Sequence, residues 1–407
     1  MNKLEDGTYN AIGSFCYSCL SLFFMVAITR INGLEDAGAF SLMFALCNLL
    51  YGVGIYSGRV YQVSDRSKGV GDVDYLTQRV ITTGLMFIVG VIVICFEGKY
   101  KANLLLGALI LIFRCLDSIS EVFYGIMQKH GKLGMVGKSM IVKSIGIIML
   151  FLVADIIVRN VCVAFVSVIG ITIAEMVICE YPEVSGYLKR NTNWESVKKI
   201  FRKGIYACLI MLLSNYMVSA PKYALADVVS AKEQAVFNII SMPASIVVLC
   251  AGFVVQPFVV DMTEYYKTKQ YGSLRGCFMI CSGIVIFAAL LCLLAGYYYG
   301  VPVLSVVYGT DISSYLTEMT VILVGAVFAG EFNVLIAVLT IMSRTKMVMV
   351  ITGIISAITY CMSFVMTQRY GLAGGAMTYA LTIGFAAMCS LLAYQTVLVS
   401  EENKKIL

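Results

Sequence analysis

The sequence is poor in what most enzymes and soluble domains require. It holds one histidine, one tryptophan and five prolines in 407 residues. With His130 alone, His-based zinc sites are excluded and almost nothing is left for a Ser-His-Asp triad. Charge is scarce as well: 13% of the residues are Asp, Glu, Lys or Arg, against about 25% in a typical soluble domain. The chain lacks long polar loops, so no extramembrane segment has room for a catalytic domain. That argues against membrane glycosyltransferases, polysaccharide polymerases and enzymes in general.

What fills the space is apolar. Hydrophobic residues make up 60% of the chain, and the mean hydropathy is +0.87. This is the composition of a polytopic membrane protein. The first apolar stretch follows Met1–Gly7. It is too long for a signal-peptide core and ends without a small-residue cleavage site, so it reads as a span. Most of the fourteen cysteines lie inside apolar stretches, where they act as small hydrophobes. Cys16-Tyr-Ser-Cys19 has the C-x-x-C spacing but lies within the first span, away from any redox or metal context.

Hydropathy marks twelve spans, near 9–29, 36–57, 79–97, 102–127, 139–158, 161–180, 204–224, 234–259, 276–297, 314–342, 347–367 and 372–398. All have helical length, so the expected fold is an all-α bundle rather than a barrel. With the N-terminus placed inside, 22 lysines and arginines fall on the inner face and 7 on the outer. That asymmetry puts both termini in the cytoplasm.

The longest inner connection, 182–203, separates a first lobe, 1–181, from a second, 204–407. It contains Trp194-Glu-Ser-Val-Lys-Lys-Ile-Phe-Arg-Lys203, with Trp194, Val197 and Phe201 on one helical face and the lysines on the other. The pattern predicts an amphipathic helix lying on the inner leaflet. The lobes share faint similarity. Glu35-Asp-Ala-Gly-Ala-Phe40 resembles Lys232-Glu-Gln-Ala-Val-Phe237, and each opens the second span of its half. Six spans per half make both halves face the same way.

Three sites carry the chemistry. In the fourth span, Arg114, Asp117 and Glu121 share one helical stripe. A single charge at the bilayer centre costs roughly 2.5–3.5 kcal/mol, so this stripe must face a polar interior. Its bland reading is an ion-pair cluster between helices. Second, Glu331 lies mid-span, with Asn333 beside it, and can carry a proton or help hold an ion. Asp155 and Glu175 lie nearer span ends and are not favoured for that role. Third, Arg30 and Lys222 occupy corresponding outer ends of the first and seventh spans, where simple snorkelling is the competing reading. Pro221, Pro243 and Pro257 crowd the seventh and eighth spans, where bends would widen a cavity. Gly134-Met-Val-Gly137-Lys138-Ser139 ends like a phosphate-binding loop but has the wrong glycine spacing and no preceding strand. No ATP is therefore expected, and no cofactor or nucleic acid.

Local motifs add a resemblance. Gly58-Arg59-Val-Tyr61-Gln-Val-Ser-Asp65, Tyr124-Gly-Ile-Met-Gln128-Lys-His-Gly131 and Tyr370-Gly-Leu-Ala-Gly-Gly375-Ala, set in twelve spans, resemble the polysaccharide-exporter branch of the multidrug/oligosaccharidyl-lipid/polysaccharide (MOP) exporter superfamily. The chain looks like an O-antigen or capsule repeat-unit flippase. That resemblance implies a MATE/MOP-like fold of two six-helix lobes in the bacterial cytoplasmic membrane. It also implies alternating access and an undecaprenyl-pyrophosphate-linked oligosaccharide as substrate. Membrane lipids and the polysaccharide polymerase machinery would be partners. Arg30, Arg114 and Lys222 would then meet the pyrophosphate, and Asp117, Glu121, Asn215, Tyr216 and Tyr223 would line the cavity. The competing readings are a cation-coupled multidrug exporter of the same superfamily and a membrane scaffold for polysaccharide assembly.

Overall fold

The computed structural model describes residues 3–56, 58–64, 69–189 and 191–406, and every regular element among them is a helix. The first ten α-helices are α1 (Lys3–Ser18), α2 (Leu20–Ile31), α3 (Leu34–Ile55), α4 (Gly58–Ser64), α5 (Asp72–Phe96), α6 (Leu104–Lys129), α7 (Leu133–Val158), α8 (Val161–Glu175), α9 (Tyr181–Ser185) and α10 (Trp194–Leu225). They are followed by α11 (Ala231–Lys267), α12 (Tyr271–Ala295), α13 (Val301–Tyr308), α14 (Leu316–Ile341) and α15 (Thr345–Ile406). Among the described residues, eleven helical stretches are long and apolar enough to cross a membrane. The last of them, α15, breaks at Gly371, where φ is 52° and ψ −129°, a region that side chains avoid. It makes two passes, which brings the total to the expected twelve.

Helix α5 turns a polar stripe inward and an apolar ridge outward. On α5 the buried positions include Asp74, Gln78, Arg79, Thr82 and Met86, while Ile81, Leu85, Ile88, Ile92 and Phe96 are exposed. The period is helical, but the polarity is reversed from that of a soluble protein, because the surrounding solvent is hydrocarbon.

Many helices run past the hydropathy boundaries at the lysine- and arginine-rich end. Thus α5 begins at Asp72 rather than near 79, α7 at Leu133 rather than 139, and α11 ends at Lys267 rather than 259. Hydropathy registers only the lipid-embedded turns, whereas backbone hydrogen bonding continues into polar ones. Two inner-face cations are reassigned as a result. Arg79 and Lys143 sit two or more turns inside their helices and are buried, with 2% and 0% of their surface exposed. The charge asymmetry survives their removal.

The chain packs as two compact units, Met1–Leu212 and Leu213–Leu407, and the division falls inside α10. The basic stretch expected to lie flat on the leaflet is instead the first third of this continuous helix. Its apolar face is covered by protein: Val197 and Ile200 are each 1% exposed. Phe201 packs edge-on against Tyr56, whose hydroxyl donates to the Phe201 carbonyl at 2.9 Å. Pro221 lies inside α10, and Pro243 and Pro257 inside α11.

In the first unit, an aromatic core joins five helices. Phe24 of α2 is fully buried among Phe44, Phe113, Phe151 and Phe165, with ring centroids 5.0–6.5 Å away. Beside it α1 crosses α7 at backbone contact. A Cβ on Gly13 would lie 2.4 Å from the Gly137 carbonyl oxygen, and one on Gly137 would lie 2.2 Å from Tyr9. Gly137 of the failed phosphate loop thus serves helix packing. Two of the motifs behind the family resemblance also meet here. The Gln62 side chain lies against Gly125, where a Cβ would be 2.2 Å from its Oε1, and its amide donates to the Val122 carbonyl at 3.2 Å. Asp65, which closes the first motif, lies outside the described residues.

On the aqueous side, Asp72 accepts from Lys129 at 2.9 Å and pairs with His130 at 2.8 Å, and His130 stacks on Tyr187 at 3.7 Å. Lys132 donates to Glu183 at 2.9 Å, and that hydrogen bond raises the pKa of its ammonium.

Deeper in the first unit, Lys143 of α7 joins α6 to the end of α8. Its ammonium donates to Glu180 at 2.6 Å and to Ser120 at 2.7 Å, and lies 3.2 Å from Glu175. Ser139 donates to Glu175. Five residues separate the two glutamates, which on an α-helix would place them about 140° apart. A π-turn over Met176–Glu180, closed by the Tyr181 amide on the Met176 carbonyl, rotates both onto one face.

In the second unit, α11, α12, α14 and α15 pack on one another. The first pass of α15 buries a stripe of hydroxyls, Thr352, Ser356, Thr359, Ser363 and Thr367. Four of the five bond back to the carbonyl one turn earlier, at 2.6–2.7 Å, so these small residues permit close packing with their hydroxyls satisfied, while the buried Ser363 hydroxyl has no hydrogen-bond partner among the described residues. The similar segments Glu35–Phe40 and Lys232–Phe237 both open a helix, one residue after Leu34 and Ala231. Beyond that the helices differ. α3 ends at Tyr56, which has a φ of 52°, whereas α11 continues to Lys267.

Two consequences are open to measurement. Leucine at Gly13 or Gly137 is expected to lower the unfolding temperature in detergent by roughly 5 °C or more. Leucine at Gly84, which is exposed with nothing within 4 Å of its Cβ position, should be neutral. Lys143→Met leaves two buried carboxylates without their cation and should cost roughly 3–5 kcal/mol. Adding Glu175→Gln and Glu180→Gln should recover much of the loss. Equal loss in the single and triple variants would mean that shape, not charge, holds this cluster.

Candidate functional site

The candidate site in the first unit is built on α6. Arg114 and Asp117 are one turn apart, and their side chains are 13% and 1% exposed. The guanidinium donates to Asp117 at 2.9 Å, and the Tyr17 hydroxyl donates to the other carboxylate oxygen. The guanidinium carbon also lies 4.6 Å from the Phe44 ring centroid and 5.4 Å from that of Tyr51. Arg114 is therefore fixed by a carboxylate on one side and aromatic faces on the other.

Glu121 is the third residue of the stripe. It interacts electrostatically with Arg79 and Tyr51, while the Arg79 guanidinium reaches the Gly54 carbonyl at 3.4 Å. Asp117 in turn lies within electrostatic reach of Lys143. The stripe is thus part of a wider set of buried charges spread over α5, α6, α7 and the end of α8.

Arg114 lines a cavity of about 140 Å³. Tyr17, Ser18 and Ser21 supply one wall, Phe44 and Asn48 another, and Phe24 and Phe113 close it with aromatic surface. The break between α1 and α2 at Cys19 falls beside this wall. Sites for drug-sized ligands usually measure about 300–1,000 Å³. This one holds several waters or one small anionic group, and no complete saccharide.

The other sequence-derived candidates are not among the lining residues of this cavity. Arg30, in the last turn of α2, is exposed. In the second unit, the Lys222 ammonium donates to Asn238 at 2.6 Å, and the Lys222 carbonyl accepts from Gln234 at 2.9 Å. Tyr216 and Tyr223 stack with centroids 6.3 Å apart, and both are half-buried, as is Asn215. Glu331 is half-buried in α14 and accepts from Ser282 of α12. Asn333 is half-buried two residues on. Asp155, at the end of α7, accepts from Asn32 at 3.1 Å. Among the described residues, no group of three or more His, Cys, Asp or Glu is placed to hold a metal ion.

Sequence reasoning missed Tyr17, Lys143 and Glu180. Tyr17 looks like any aromatic in an apolar span. Lys143 looked like an inner-face cation because its helix was started six residues late. Glu180 showed no pairing with Glu175, because the α-helical period separates them and only the π-turn unites them.

No protein-family model matches the chain, and no curated protein matches its sequence. Solved structures do match. An inward-facing multidrug resistance MATE family transporter of the MOP superfamily superposes with a TM-score of 0.74 at 12% identity, over 97% of this chain and 99% of that one. A Vibrio cholerae MATE transporter gives 0.67 at 14% identity, covering 98% of both chains. A MOP superfamily transporter from Pyrococcus furiosus, described as having a binding pocket of reverse polarity that suggests a different function, gives 0.69 at 13% identity, over 98% and 96%. At these identities the likeness lies in the fold: over nearly its whole length, this chain has the twelve-helix architecture of the MATE transporters of the MOP superfamily.

Proposed function

We propose that the chain is a membrane exporter that moves an undecaprenyl-pyrophosphate-linked oligosaccharide from the inner to the outer leaflet of the bacterial cytoplasmic membrane by alternating access. Its product would feed surface polysaccharide synthesis. The observation that carries this reading is Arg114, a guanidinium held on the wall of an intramembrane cavity sized for a small anionic group. A cation kept there at the cost of desolvation suits an anionic substrate better than a cationic drug. The cavity takes the charged group alone, and the saccharide must lie outside it. Arg30 and Lys222 are proposed to meet the anion at other stages of the passage. Asn215, Tyr216 and Tyr223 offer amide and aromatic surface to sugars. The reverse-polarity pocket described for the Pyrococcus furiosus transporter supports the idea that pocket charge selects the cargo within this fold.

Outward movement of a pyrophosphate carries negative charge away from a negative cytoplasm. Each charge gains about 2.3 kcal/mol per 100 mV, so two gain about 4–5 kcal/mol. The membrane potential then suffices without a coupling ion.

The competing reading is cation-coupled multidrug export. Glu331 favours it, as a half-buried carboxylate in the middle of α14 with Ser282 as its hydrogen-bond donor.

Proteoliposomes carrying a lipid-linked oligosaccharide separate the two. Wild type is expected to flip the lipid, and Arg114→Ala to lose at least tenfold in rate while remaining folded. Transport of a cationic dye, with no flipping, would establish the drug exporter instead. Glu331→Gln is expected to leave potential-driven flipping within about twofold of wild type. Abolished flipping in a folded Glu331→Gln protein would show that an ion is required.

A further inference from the structure

The first turns of α10 carry four cations within six residues, from Lys198 to Lys203. The helix has 32 residues and so runs about 48 Å, while the hydrocarbon core is about 30 Å thick. Its apolar part, from Gly204 onward, is long enough to cross that core. The turns before it must then emerge on the lysine- and arginine-rich side. Lys198, Lys199, Arg202 and Lys203 are all exposed there. They span only about 7.5 Å along the axis, within one Debye length of the membrane boundary.

These turns cannot roll over to lie on the leaflet. Their opposite face is bolted to the first unit. Val197 and Ile200 are buried, Ser196 donates to the Gly69 carbonyl at 3.2 Å, and the Asn193 amide donates to Asp74 at 2.7 Å. Asp74 is itself 1% exposed and also accepts from the Gly71 amide at 2.8 Å. The basic face is therefore held outward, at headgroup level, by rigid contacts on its other side.

We infer that this face is a binding site for anionic phospholipid headgroups of the inner leaflet, with Lys198, Lys199, Arg202 and Lys203 as the phosphate-binding residues. Charge complementarity and depth select this occupant. Four cations sit where the phosphates of that leaflet must lie, and continuity with a membrane-crossing helix keeps them there. The inference is independent of what the chain transports.

The sequence supplies a built-in reporter. Trp194 is the only tryptophan, is 61% exposed, and precedes Lys198 by one helical turn. Its fluorescence can be followed in the detergent-solubilised full chain during titration with short-chain phosphatidylglycerol or phosphatidylcholine. Phosphatidylglycerol is expected to give a saturable change at a concentration at least fivefold lower than phosphatidylcholine. Raising the salt from 0.15 to 0.5 M should weaken it several-fold. The variant K198Q/K199Q/R202Q/K203Q should erase the preference. Should that variant unfold, K198Q/K199Q alone, at two exposed positions, is expected to reduce the preference at least twofold. Equal responses to the two lipids, or a preference unchanged in the folded variants, would overturn the inference. So would a response to polyglutamate without one to phosphatidylglycerol, which would assign the face to an acidic protein.

Discussion

A hydrocarbon solvent offers no partner to a charge or an open backbone group, so each such group within the spans must be satisfied inside the protein. That constraint organises this structure. It explains why α5 carries Asp74, Gln78, Arg79 and Thr82 on its buried stripe and leaves Ile81, Leu85, Ile88 and Ile92 outside. It also explains the most costly feature of the first unit, Lys143 clasped by Glu175 and Glu180 with none of the three more than 2% exposed at the side chain. One ammonium with two carboxylates is tolerable only when the geometry is good. A local π-turn provides that geometry by bringing residues five apart onto a single face.

Close packing supplies the rest of the first unit's rigidity. Helices α1 and α7 touch through backbone at Gly13 and Gly137, an approach that only glycine permits. The phenylalanines around Phe24 fill the space among α2, α3, α6, α7 and α8. Arg114 sits at the edge of this aromatic mass, not in it. One side of its guanidinium faces Phe44 and Tyr51, another is tied to Asp117, and the cavity opens beside it. The same contacts that make the charge affordable also fix where it points.

A fold shared at 12–14% identity with MATE transporters sets the architecture, and function lives in the polar sites grafted onto it. Here those sites differ between the units. The first holds a dense set of paired charges, of which Arg114 lines a cavity of about 140 Å³. The second holds Lys222 on Asn238 and Glu331 on Ser282, together with buried hydroxyls of α15, most of which bond back within the helix.

The multi-pass membrane character, the span number and the position of Arg114, Asp117 and Glu331 inside long apolar helices were legible in the sequence, because hydropathy and helical period are local properties of the chain. The partners of those residues were not. Arg114 and Asp117 pair along one helix, as their spacing of three implies, but Tyr17 comes to Asp117 from α1, a hundred positions away. Glu121 shares their stripe and also lies within electrostatic reach of Arg79 of α5. The basic run at 194–203 has an amphipathic pattern that fits a leaflet surface and a protein surface equally well. Only the packing of Val197 and Ile200 on the first unit decided between them. Periodicity tells which face of a helix is buried. What it is buried against depends on contacts between distant segments, and those exist only once the chain has folded.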